Sequence, residues 1–224
     1  MWIGRGNALG EPIPVGEAQG SIAGYCLLND WSARDLQAWE YQPLGPFLAK
    51  NFLTTVSPWI VTADALAPFR TAQPPRPEGD PTPLDYLRDD DPANALGLTV
   101  SATLSTQAMR DAGLPPHRLS EGRADAAMYW TPTQIVAHHS SNGCNLQPGD
   151  LIGTGTLSTA DATGLGSLLE ISEGGKAPLT LPNGEARSFL EDGDELTLHA
   201  RAEAPGRASI GFGECRGLVV GRVS

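Results

Sequence analysis

The sequence predicts a mainly β fold with a few short helices. Three observations carry that reading. Its 224 residues include 26 glycines and 19 prolines, a turn-rich composition ill suited to a helical bundle. Several runs are continuously apolar or alternate apolar with polar residues, as buried and half-buried strands do. Segments with helical spacing are few and short. The length suits one sizeable domain or two small ones. No trustworthy boundary divides it, so residues 1–224 are read as one domain.

Residues 4–20 read as an extended loop, and 21–28 (SIAGYCLL) as a strand buried on both faces. Ser32, with Asp35 three residues on, fits the start of a helix running to about Tyr41 and stopped by Pro43. On that helix Arg34, Gln37 and Tyr41 share one face, and Asp30 stands just before the cap. This is either a binding face or an exposed polar stripe. Residues 43–46 (PLGP) form a turn that delivers Lys50 and Thr54. Strands are expected at 57–63 and 96–106, with a long surface excursion over 67–95 between them. A helix is expected over 128–141 with Pro132 in its first turn, ended by Asn142-Gly143. Strands follow at 151–158, 166–172, 189–202 and 209–220, and Pro182-Asn183-Gly184 is a hairpin turn.

A formal charge of −11 argues against a nucleic-acid partner, which needs a basic footprint. No window approaches 18 apolar residues, so no membrane span is expected, and the first residues lack the pattern of a signal peptide. Cys26, Cys144 and Cys215 form no C-x-x-C pair and read as free thiols in a reducing, cytoplasmic setting. No serine stands in a G-x-S-x-G context, and no phosphate-binding glycine loop is present. His138 and His139, adjacent on a helix, point about 100° apart and cannot share one metal; a structural role is expected. Asp30 and Glu170 are the carboxylates set within apolar runs. Each calls for a cationic partner, a raised pKa or a metal, and paired hard oxygen ligands suit Mg²⁺ or Ca²⁺.

The run NDWSARDLQAWEYQPLGPFLAKNFLTTVSPWIV resembles the signature of the fumarylacetoacetase (fumarylacetoacetate hydrolase) family. So do GRGNALGEPIP, MYWTPTQIVAHHSSNGCNLQPGDLIGTGTLS, GSLLEIS, FLEDGDEL and GFGECRG, in the same order along nearly the whole chain. The resemblance implies a mixed β-roll catalytic domain in a homodimer. It implies a Ca²⁺ or Mg²⁺ ion that seats a β-diketo dicarboxylate, and hydrolysis of its C–C bond to fumarate and acetoacetate. By position it makes Asp30 a metal ligand, places Lys50 and Thr54 at a magnesium site, and makes Gln37, Tyr41 and Thr156 substrate contacts. Glu170 would orient a water-activating histidine, or else form a structural ion pair. The resemblance makes Lys50 a charge-stabilising catalytic residue and counts Gln37 and Glu170 as catalytic too.

In the family that histidine, another aspartate and a Glu-x-Glu pair precede the segment matching GRGNALGEP. The chain is therefore expected to be an incomplete catalytic domain, either cut from a longer product or unable to hydrolyse substrate by itself. The other readings are a non-catalytic oligomerisation module and a related acylpyruvate or β-diketone hydrolase, the latter disfavoured by the W-E-Y-x-P-L-G-P-F run.

Overall fold

Backbone pairing splits the first apolar run in two. The structure, a computed structural model, describes residues 1–221. Strand β1 (Trp2–Ile3) pairs with β2 (Ile22–Tyr25), and β3 (Leu28–Asp30) begins after two intervening residues. The single strand expected over 21–28 is thus two strands in two sheets: β3 pairs with β4 (Thr54–Val56), and β2 with β5 (Val61–Thr62). Ser57 marks the parting. Its N–H donates to the Leu27 carbonyl at 3.0 Å, and its hydroxyl accepts the Leu27 N–H at 3.0 Å.

Between β3 and β4, helix α1 (Arg34–Glu40) forms close to its expected limits, but not with the expected cap. The N-cap is Ala33, with no side-chain cap bond. The Ser32 hydroxyl instead donates to the Asp30 carbonyl at 3.2 Å and accepts from Lys50 Nζ at 2.7 Å. After α1 the chain turns through Gly45, whose φ of +91° favours glycine and whose N–H donates to Tyr41. The strand expected over 57–63 shrinks to β5, because Thr62 caps α2 (Ala63–Leu66).

The excursion over 67–95 is fastened rather than free. At its base β6 (Arg70–Thr71) pairs with β7 (Ala95–Leu96), and Arg70 bonds Asp91 at 2.6 Å. Gln73 donates to the carbonyls of Met128 and Tyr129, and Arg76 lies 4.3 Å from the ring centroids of both Tyr129 and Trp130.

The largest sheet is antiparallel. It starts with β8 (Leu98–Ser105), which forms as its alternating pattern predicts. A short α3 (Gln107–Asp111) leads to β9 (His117–Arg123), and α4 (Ala124–Ala127) to α5 (Pro132–Ser140). Helix α5 has Pro132 in its first turn and a reciprocal Thr131–Gln134 capping box. It buries Val136 and Ala137 and packs against the 3-10 turn Val15–Ser21.

Two expected strands do not form. Over 151–158 the backbone makes a single bridge, Trp2 to Leu151, because β1 is only two residues long and leaves the rest without a partner. Over 166–172 the chain coils into α6 (Leu168–Ile171), since Ser167 accepts the Glu170 N–H and caps a helical turn. The expected hairpin joins β10 (Leu179–Thr180) to β11 (Ala186–Arg187). Then β12 (Glu195–Ala202) and β13 (Ile210–Leu218) complete a sheet of order β13-β12-β8-β9. β12 matches β8 along its whole length, from Leu98↔Ala202 to Ser105↔Glu195. That register puts Leu98, Val100, Leu196, Leu198 and Ala200 on one face.

Candidate active site

One open cavity of about 1550 Å³ spans the centre of the molecule. Its floor is the apolar face of β8 and β12, and its polar rim comes from β3, α1 and the segments around Lys50 and Thr156. Small-molecule sites usually occupy about 300–1,000 Å³, so one substrate would leave space.

The rim is built by strand pairing. In the β3–β4 ladder Asp30 stands opposite Thr54, which joins two residues 24 apart in sequence. Trp31 Nε1 donates to Thr55 Oγ1 at 2.7 Å and closes that ladder. Lys50 Nζ donates to Asp30 Oδ2 at 2.9 Å and to Ser32 Oγ at 2.7 Å. The two charged side chains are 27% and 52% exposed, so the pair faces solvent and the cavity together. On α1, Arg34 donates to Gln37 Oε1 at 3.0 Å, fixing the amide beside the guanidinium.

Asp30, Gln37, Lys50, Thr54 and Thr156 all line this cavity. Tyr41 and Glu170 do not. Tyr41 is the C-cap of α1 and half exposed, one turn too far along to face inward. Glu170 is not a carboxylate stranded inside a strand. It lies exposed on the helical turn α6, where its Oε2 accepts from Ser158 at 2.9 Å and from Ser167 at 2.6 Å. The expected cationic partner is replaced by two hydroxyls. His138 and His139 also lie off the cavity lining: His138 Nδ1 is 2.8 Å from the Tyr86 hydroxyl, and His139 Nε2 is 3.6 Å from Cys144 Sγ. The three cysteines are free, but only Cys215 is fully buried.

The described residues do not form a divalent-cation site by themselves. No three of their His, Cys, Asp or Glu side chains converge. Asp30 and Asp35 are the carboxylates on the lining. Asp30 already holds an ammonium, and Asp35 Oδ1 accepts the Leu36 N–H at 2.8 Å. Lys50 carries no lone pair while protonated, which leaves Thr54 as a weak neutral donor.

Sequence reasoning missed Ser32 on the cavity lining and Glu40 behind it. The Glu40 Oε1 accepts the N–H groups of Phe47 at 2.9 Å and Ala49 at 2.7 Å. Those bonds, with Ala49 foremost, hold the Glu40 carboxyl below its ordinary range. Nothing in helical periodicity signals a contact across seven and nine residues of turn.

Fold and site together define a mainly β domain with an open cavity whose rim carries ammonium, guanidinium, amide and hydroxyl groups. A family profile described as fumarylacetoacetate (FAA) hydrolase C-terminal matches residues 1–220, and the chain belongs to that family. It is 47% identical over 220 residues to a fumarylacetoacetase of Homo sapiens, covering 98% of this chain and 50% of the relative. Similar relatives named fumarylacetoacetase occur in Bos taurus (46% over 225 residues, 100% and 51%) and Arabidopsis thaliana (46% over 218 residues, 97% and 49%). The chain spans about half the length of the curated relatives it matches. Among the described residues, no helix is long and apolar enough to cross a membrane.

Proposed function

We propose that this chain supplies the substrate-seating and charge-stabilising part of a hydrolase that cleaves the C–C bond of 4-fumarylacetoacetate to fumarate and acetoacetate. Family membership supports the reaction class. The observation that carries the assignment to residues is Lys50, held between Asp30 and Ser32 on the cavity rim. An ammonium fixed there would stabilise the negative charge that develops as acetoacetate leaves as its enolate. Arg34 and Gln37 would hold a substrate carboxylate or ketone oxygen, and Thr156 would donate from the opposite side. Tyr41 and Glu170 enter this reading through the resemblance rather than through their present geometry. A Ca²⁺ or Mg²⁺ ion would take Asp30 as one ligand and require further carboxylates from outside the cavity's own lining.

Water activation needs a base, and among the described residues no histidine lines the cavity. Purified chain incubated with fumarylacetoacetate and Mg²⁺ should therefore leave the diketone absorbance unchanged. A polypeptide as long as the relatives should remove it. Turnover by this chain alone would overturn the division of labour, and no turnover by the longer polypeptide would overturn the substrate.

A homodimer belongs to the same reading. Trp39, Leu44 and Phe47 are 87%, 82% and 59% exposed on α1 and the turn after it. Large apolar side chains exposed close together in sequence support a protein contact there. Sedimentation at micromolar concentration should show a dimer that Trp39→Glu with Leu44→Glu dissociates; a wild-type monomer would overturn it.

A further inference from the structure

The turn that carries Lys50 is held from two sides. On one, the Ala33 N–H donates to the Ala49 carbonyl at 3.0 Å, tying the start of α1 to the turn. On the other, the last residue of α1 reaches across, and one Glu40 oxygen accepts from both Phe47 and Ala49. Ala49 is fully buried between these contacts. The Lys50 and Asn51 N–H groups both donate to the Phe47 carbonyl at 3.1 and 2.9 Å, so the residues Glu40 grips are those that set the direction of Lys50.

We propose that Glu40 is the positioning residue for Lys50: its carboxylate draws the 47–49 turn onto α1 so that the ammonium arrives between Asp30 and Ser32. The proposal rests on the reading of Lys50 as the group that meets substrate charge. A charged acceptor shared by two backbone donors is a strong device for this, because such bonds are shorter and about twice as strong as neutral ones. Glu40 touches neither the cavity nor substrate in this arrangement and acts only through the backbone.

The sequence contains two lysines, Lys50 and Lys176, which makes a direct test practical. Biosynthetic labelling with ¹³C,¹⁵N-lysine keeps all three ammonium protons and gives each lysine its own side-chain resonance. In Glu40→Ala the Lys50 signal should move towards that of a free side chain while Lys176 stays in place. Amide exchange at Phe47 and Ala49 should accelerate by about tenfold or more. Glu40→Gln, which keeps an oxygen acceptor, should restore most of both. In a preparation that hydrolyses the diketone, Glu40→Ala should lower kcat about tenfold or more with KM nearly unchanged. An unmoved Lys50 resonance in Glu40→Ala would overturn the proposal, as would equal losses in kcat and KM. A moved resonance, together with no turnover by a polypeptide as long as the relatives, would uphold the clasp and count against the proposed reaction instead.

Discussion

Two ion pairs in this molecule use the same chemistry in opposite settings. Arg187 and Asp194 are 8% and 1% exposed, and the guanidinium meets the carboxylate through two bonds, Nε at 2.9 Å and Nη2 at 3.1 Å. Asp194 also accepts the Glu191 N–H, and Glu185 takes a further Arg187 donor, so almost every lone pair and proton is used. These bonds push the guanidinium, already a strong base, further towards its charged form, the Asp194 hydrogen bond foremost. Lys50 and Asp30, in contrast, share one bond on an open rim. A saturated buried pair holds structure. A half-satisfied exposed pair keeps donors and lone pairs free for something else.

The comparison breaks most visibly at Asp194. Asp194→Ala leaves a buried guanidinium without its main partner and should destabilise the fold by about 3–5 kcal/mol, read as a drop in the denaturant midpoint. A loss below 1 kcal/mol would mean that the pair is not structural. Tyr25 sharpens the contrast from the core. Burial pushes its phenol up to about 12, so the folded protein keeps a proton that the unfolded chain sheds near its ordinary value of 10. The stability tied to that proton is fully present below pH 10 and is lost as pH rises towards 12. Between pH 9 and 11.5 wild type should lose about 2 kcal/mol more than Tyr25→Phe, checked by denaturation at those two pH values.

A smaller effect is expected at the cap of α6. Ser167→Ala should cost about 1 kcal/mol and free Glu170 from one of its two hydroxyl donors. Smallest in stability is Lys50→Met, within about 1 kcal/mol of wild type by the same melt. That variant should nonetheless abolish turnover in any preparation that has it. High salt should loosen the Lys50–Asp30 pair and spare Arg187–Asp194. A large stability loss in Lys50→Met would erase the distinction between the two pairs.

Capping chemistry shows how local signals fare in the fold. T-x-x-Q at Thr131 and Gln134, not used in placing the helix start near Met128, forms a reciprocal box, and α5 starts there. S-x-x-E at Ser167 and Glu170 is the same signal, but the apolar Leu-Leu and Ile around it read as a strand, and the cap prevailed. S-x-x-D at Ser32 and Asp35 reads as a helix start, yet a lysine 18 residues away claims the hydroxyl. A cap is a local contest that succeeds only where no distant partner offers a stronger, charge-assisted bond.

Local pattern by itself determined the mainly β character, the alternating strand at β8, the existence of α5 with Pro132 in its first turn, and the hairpin before β12, because each depends on neighbours a few residues apart. Helical spacing set Gln37 near Asp30, and the family resemblance, not local pattern, added Lys50 and Thr54 to them. The tertiary structure decided what no window of sequence contains: that Asp30 faces Thr54 across a ladder, that Arg187 is neutralised in the interior, and that Glu40 anchors the turn bearing Lys50. Those outcomes depend on strand register and loop closure, which are set by the packing of the whole chain rather than by the residues on either side.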